Sequence, residues 1–224
     1  MTGDFQRNQL EFEAFLVSYA IAPVQSRNAL DLGAGHGIQS VSLVKRGYSV
    51  TAVDFNEQLL EELRSNVSGL PIDVINSDIR VLEQWQRLDP ELIVCAGDTL
   101  SHLDDKNQVR KLLQDSYKLL SHGGKLLLSF RDQSSAKSGS QQSFLVKADE
   151  NRKLTCHLEF DEEMIRVTDI LGERIGDVWQ ESRSSYYKVR LRKAEIESIL
   201  QNSGFELILD TDLKGMVMLL ARKP

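Results

Sequence analysis

The chain has 224 residues, 41% hydrophobic and 27% charged, which is the balance of a soluble globular protein with one buried core and room for an insertion. A net charge of −6 and a pI near 5.3 argue against a nucleic-acid partner, because neutralising phosphates needs a basic surface. The opening MTGDFQRNQLEFEA has no apolar signal core and no apolar run is long enough to cross a bilayer, so the expectation is a cytoplasmic protein with no membrane segment. Cys95 and Cys156 stand far apart in no metal-ligand spacing and are expected to be buried free thiols, with no metal site.

Residues 4–20 read as an amphipathic helix, with Phe12, Phe15, Leu16 and Tyr19 at helical spacing and Pro23 beyond its end. Two placements are open for it: packed at the sheet edge, or lying over a binding site as a lid. The stretch NALDLGAGHGIQSVSLVKRGYSVTAVDF, residues 28–55, is the most informative in the chain. Ala29, Leu30 and Leu32 suit a buried parallel strand. Gly33, Gly35 and Gly37 then allow a sharp turn and a close approach of backbone to ligand. Ile38, Val41, Leu43 and Val44 share one face of a following helix, Gly47 stops it, and residues 48–53 alternate as a second strand. Asp54 ends that strand about 20 residues beyond the glycines, where a carboxylate grips a ribose diol in a Rossmann-type unit.

The glycine pattern departs from the dinucleotide fingerprint, since Ile38 occupies the position of its third glycine. Asp31 precedes the turn, and a carboxylate there suits an amine-bearing ligand. Asp31-Leu32-Gly33-Ala34-Gly35-His36-Gly37 resembles the first motif of the class I S-adenosylmethionine-dependent methyltransferases, D/E-x-G-x-G-x-G. The resemblance implies that Asp31 lies near the methionine end of S-adenosylmethionine and that Asp54 holds the ribose hydroxyls. Farther along, Asn56 is an N-cap for a helix carrying Leu59, Leu60 and Leu63, and residues 71–75 form a third strand. Asp78 and Ile79 follow that strand, where the resemblance implies an acceptor for the adenine amino group and a residue packed on the ring. The full cofactor set it implies is Asp31, Gly33, Ala34, Gly35, Gly37, Asp54, Phe55, Asp78, Ile79, Ala96 and Gly97.

Residues 91–96 are a fourth strand, followed by Gly97-Asp98-Thr99-Leu100-Ser101-His102 at the end where α/β enzymes place their chemistry. Asp98 and His102 are candidates for substrate contact or proton acceptance. Asp104 or Asp105 caps the next helix, and residues 125–130 are a fifth strand. Arg131 at its end is a candidate clamp for a substrate carboxylate, with a surface pair to Asp132 as the alternative. Residues 134–142 read as a mobile linker. The pattern then becomes an antiparallel meander of about four strands, with turns at Asp161-Glu162-Glu163 and at Gly172 and Gly176. As a lid it brings Tyr186, Tyr187 and Arg190 towards substrate, with Tyr186 a further candidate base and Arg190 a second clamp; as an exposed sheet it suits a homodimer contact. A helix at residues 194–202 and two last strands complete the chain.

The expected fold is therefore a Rossmann-like, mostly parallel seven-stranded sheet with an antiparallel last strand, formed by residues 1–140 and 192–224, and an antiparallel β insertion over 141–191. The expected activity is methyl transfer from S-adenosylmethionine to an N, O, S or C atom of a small molecule, leaving S-adenosylhomocysteine. Two alternatives stay open: a non-catalytic cofactor-binding subunit, and an NAD-dependent oxidoreductase, against which Ile38 speaks.

Overall fold

A computed structural model describes residues 5–67, 69–176 and 178–224; Asp4, the expected start of the first helix, lies outside them. The first helix, α1, spans Phe5–Ser18 and buries Gln9, Phe12, Phe15 and Leu16. It packs along α2 (Ile38–Lys45), where Ser42 Oγ donates to the Gln9 carbonyl at 3.1 Å and Lys45 Nζ to Gln9 Oε1 at 3.0 Å. Tyr19 lies past the helix end, its ring tilted against that of Phe15 with centroids 4.9 Å apart.

The central sheet is built from β1 (Asn28–Leu32), β2 (Ser49–Asp54), β3 (Ile72–Asn76), β4 (Leu92–Cys95), β5 (Lys125–Phe130), β10 (Glu206–Leu213) and β11 (Met216–Arg222). Their order is β10-β11-β5-β4-β1-β2-β3, with β11 antiparallel to both of its neighbours and the other pairs parallel. The last hairpin is longer than its sequence pattern predicts: β10 continues through Asp210, Thr211 and Asp212, with exposed and half-buried positions alternating along it. Strands β1, β4 and β5 are apolar on both faces, so each face carries its own core. One packs against α1, α2 and α3 (Glu57–Asn66), the other against α4 (Lys106–Leu119) and α5 (Lys193–Asn202). Asn56 and Asp105 are the N-caps, accepting from Leu59 N and Gln108 N. One buried anchor has no sequence signal: the Glu91 carboxylate accepts from the N–H groups of Val24, Gln25 and Arg27 at 2.6–3.0 Å, fixing the α1–β1 connection.

Between β5 and α5 the chain forms a second sheet, the four-stranded meander β6 (Gln141–Ala148), β7 (Arg152–Phe160), β8 (Met164–Ile175) and β9 (Val178–Val189). Two expectations need correction here. Gly172 does not turn the chain; it pairs with Glu181 inside the β8–β9 ladder, and the Trp179 ring covers it at 3.5 Å from where a Cβ would stand. Residues 134–142 are not a free linker, because β6 begins within them and Gly139 N donates to the Phe160 carbonyl at 2.7 Å. The two ends of the insertion are stitched together: Gln133 N donates to the Leu191 carbonyl at 2.9 Å, and Lys193 N to Asp132 Oδ1 at 3.0 Å.

Candidate functional site

The chain builds outward from β1 to β3, then crosses to β4 on the other side, so the crevice between β1 and β4 is a topological switch point. The β1–α2 turn is held by Gly33 N and Ala34 N donating to the Val53 carbonyl at 2.8 and 3.0 Å. Gly33, Gly35 and Gly37 all have positive φ, so each needs the left-handed backbone that glycine tolerates. They differ in surroundings. A Cβ on Gly33 would strike Thr99 at 2.3 Å, so β1 and the β4 loop meet in close contact there; one on Gly35 would meet nothing within 4 Å. The turn therefore presents open backbone to the crevice.

Asp54 makes contacts that the sequence does not signal. Its Oδ2 accepts from Gly35 N and its Oδ1 from Asn56 N, both at 2.9 Å, so the carboxylate fixes the turn. Each oxygen keeps a lone pair for a diol. Phe55 beside it is 74% exposed, an apolar ring available to cover a base. Asp31 is 1% exposed and accepts from Ser40 Oγ at 2.6 Å. Burial pushes its carboxyl up to about 7; Ser40 opposes the rise and Asp54 adds to it. A cationic amine would relieve that burial. Together, open glycine backbone, a diol-ready Asp54 and an amine-ready Asp31 fit an amino-acid-bearing nucleoside.

Asp78 is less available than expected. Arg80 grips it through Nε and Nη2 at 2.6–3.0 Å and through its own N–H at 2.8 Å, holding the carboxyl below its usual range. An adenine amino group would share that carboxylate with Arg80. Ile79 and Ala96 are buried, and Gly97 N donates to Ser129 Oγ at 2.7 Å.

Across the crevice, a cavity of about 480 Å³ separates the second sheet from the β4 and β5 loops, with Asp98, Arg131, Phe144, Leu158, Asp169, Tyr186 and Lys188 among its walls. A larger groove of about 560 Å³ between α4 and α5 contains none of the glycine-turn residues. Asp98 takes an ion pair from Lys188 Nζ at 3.0 Å, and Arg131 Nε lies 3.7 Å away. Arg131 thus faces Asp98 rather than Asp132, which caps the α5 entry. The His102 ring stacks on Tyr186 with centroids 5.8 Å apart. His102 keeps an exposed surface and is not one of the cavity walls; crowding by its neighbours first, then the nearby Lys188, lowers its pKa, against a smaller opposing pull from Asp98.

Three expectations for the insertion change. Arg190 is 3% exposed and its guanidinium donates to the carbonyls of Asp161 at 2.7 Å, of Gln133 at 3.3 Å and of Ala136. It fastens the linker and is not placed as a substrate clamp. Tyr187 is 60% exposed, on the face of β9 away from the cavity. Tyr186 reaches the cavity, but burial first and Asp169 second push its hydroxyl up to about 12, so it stays protonated and does not serve as a base at neutral pH. Thr99, Asp169 and Lys188 were not singled out from the sequence. Strand alternation puts Lys188 on the Tyr186 face, but its contact with Asp98 requires the tertiary fold. Among the described residues no three His, Cys, Asp or Glu side chains are grouped to hold a metal ion, and Cys95 and Cys156 are free and buried.

A family model described as "Methyltransferase domain" matches residues 29–124, the segment from β1 through α4. Residues 29–124 are thus similar to a methyltransferase domain. Over 106 residues the chain is 32% identical to a glycine/sarcosine/dimethylglycine N-methyltransferase of Actinopolyspora halophila, covering 46% of this chain and 19% of that protein. It is 26% identical over 149 residues to glycine N-methyltransferase of Homo sapiens, covering 58% and 49%. The chain thus spans less than half the length of either relative. The fold, insertion included, resembles the CcbJ methyltransferase from Streptomyces caelestis, with a TM-score of 0.79 at 17% identity over 96% of both chains. It also resembles an S-adenosylmethionine-dependent methyltransferase from Clostridium acetobutylicum, with a TM-score of 0.77 at 17% identity over 98% and 92%. No helix among the described residues is long and apolar enough to cross a membrane.

Proposed function

We propose that this chain binds S-adenosylmethionine across the β1–β4 crevice and methylates a small molecule held under the second sheet. The observation that carries the reading is the arrangement of buried Asp31, the open glycine turn and Asp54 at the switch point. In this reading Asp54 holds the ribose hydroxyls, Asp31 the amine of the methionine end, and Phe55, Asp78 and Ile79 the adenine. When bound, the cofactor supplies a methyl group already activated as a sulfonium. The protein's share is then mainly positioning and the exclusion of water. The curated relatives named above are N-methyltransferases, which supports nitrogen as the acceptor atom.

His102 is the proton acceptor of this reading. Its lowered pKa keeps an imidazole nitrogen free at neutral pH, and Tyr186 fixes the plane of the ring. Asp98 and Lys188 join the insertion to the β4 loop, and Arg131 faces the cavity with only a long contact to Asp98. Residues 141–191 act as the lid, on a domain formed by 1–140 and 192–224. Exposed Ile175, Val178 and Trp179 at the β8–β9 tip support pairing of two copies, and a sedimentation mass of one chain at high concentration would remove that part.

Thermal unfolding with S-adenosylmethionine, S-adenosylhomocysteine and NAD, each added separately, tests the cofactor. A ligand at 100 times its dissociation constant adds about 2.7 kcal/mol to stability. That moves the midpoint by roughly 5–10 °C in a protein of this size. The first two ligands are expected to raise the midpoint and NAD to leave it unmoved. A rise with NAD alone would overturn the reading.

A further inference from the structure

The cavity under the second sheet contains two carboxylates in unlike surroundings. Asp98 meets two cations, Lys188 at 3.0 Å and Arg131 at 3.7 Å. Asp169 meets none: among the described residues no Lys, Arg or His lies within ion-pair distance of it. Its neighbours are the Tyr186 hydroxyl and the Cys156 thiol, both held protonated.

The register of the sheet shows how unusual this position is. Phe144, Cys156 and Asp169 form one row across β6, β7 and β8, and Leu158, Val167 and Tyr186 belong to the next row on the same face. Along β8 the inward positions are Ile165, Val167, Asp169 and Leu171, while Arg166 and Thr168 point the other way. Asp169 thus interrupts an apolar stripe. Asp169 is half-buried there and faces the cavity, so a cation entering the cavity would meet its carboxylate without displacing a lysine or arginine from it. The volume of about 480 Å³ is that of a pocket for a drug-sized molecule, far more than a free amino acid such as glycine fills.

We propose that Asp169 selects the acceptor, which carries a cationic amine on an apolar body lying against Phe144, Leu158 and Val167. The inference rests on the cavity being the acceptor site of the proposed methyltransferase. Binding of the amine itself does not depend on methyl transfer.

The test is calorimetric titration with three probes that share one apolar body: 4-phenylbutylamine, 4-phenylbutan-1-ol and 4-phenylbutyrate, each with and without S-adenosylhomocysteine. The amine is expected to bind at least tenfold more tightly than the alcohol or the acid. In Asp169→Asn, whose amide oxygen still faces Tyr186 and Cys156, that advantage is expected to fall to within twofold. Asp169→Glu is expected to keep it, and Leu158→Ala to weaken all three probes. Equal affinities, tighter binding of the acid, an amine preference that survives Asp169→Asn, or no binding of any probe would each overturn the proposal. The homocysteine-product thermal shift separates the two readings. Amine selectivity without that shift keeps the amine site at Asp169 but removes the cofactor assignment and with it the acceptor role; the shift without selectivity removes the amine site and keeps the cofactor.

Discussion

Asp31 and Asp54 are both acidic and both border the glycine turn, yet they present different chemistry. Asp31 has its pKa raised from 3.8 to about 7, chiefly by burial. The folded protein therefore binds a proton that the unfolded chain has lost between these values, and stability falls as pH rises from about 4 to about 7. The total is on the order of 4 kcal/mol. Asp31→Asn is expected to flatten the fall, so its ligand-free unfolding midpoint overtakes the wild type between pH 5 and 8. The same variant is expected to bind S-adenosylmethionine more weakly at pH 8, since it cannot offer a charge to the amine. A variant with unchanged midpoint and affinity would show that Asp31 does neither. For Asp54→Ala, loss of a charged hydrogen bond to a hydroxyl removes about 1.5–3 kcal/mol, a ten- to hundredfold weaker cofactor in calorimetry. Both residues were legible in the sequence because strand, glycine turn and acidic strand end are local. The Asp54 tether to Gly35 was not, since the hydrogen bond spans two elements.

At the scale of elements, β1 to β5 and their helices follow from short apolar runs and capping residues, and the sequence places them within a residue or two. The insertion was harder to read for a physical reason. β6 is exposed on both faces, so it has no alternation of apolar and polar residues to reveal it. Arg190 was misjudged for a related one. Alternation continued one residue past β9 puts it on the cavity side, but only the folded linker and the β7–β8 turn supply the carbonyls that surround it. Arg190→Ala leaves the carbonyls of Gln133, Ala136 and Asp161 without their donor. Hydrogen exchange is expected to speed up in residues 134–140 and at the β7–β8 turn, while cofactor affinity stays as it was. Lost cofactor affinity with unchanged exchange would return Arg190 to the binding site.

The whole molecule has two sheets of unequal strength. The parallel sheet has an extensive core on each face, whereas the second sheet encloses a small cluster of Cys156, Phe160, Ile165 and Val167. Fewer buried contacts mean a lower local unfolding free energy. The two tryptophans lie one on each side of this division, Trp85 near the parallel sheet and Trp179 on β9. In urea, a Trp85→Phe variant that reports only Trp179 is expected to show an earlier transition than a Trp179→Phe variant that reports only Trp85. Coincident transitions would show a single cooperative unit.

The stitching at the ends of the insertion has a consequence for how such a chain can change. Residues 133 and 191 meet in a backbone hydrogen bond, and Asp132 caps the helix that resumes the Rossmann unit. Entry and exit are thus neighbours at one seam, and every residue proposed to face the cofactor lies outside it. Everything between is a cassette: it can be exchanged for a differently lined sheet, or shortened to a tight loop, without moving a strand that holds the glycine turn. Acceptor choice and donor binding are then inherited as separate pieces, and a chimaera joined at this seam would carry the preference of its graft.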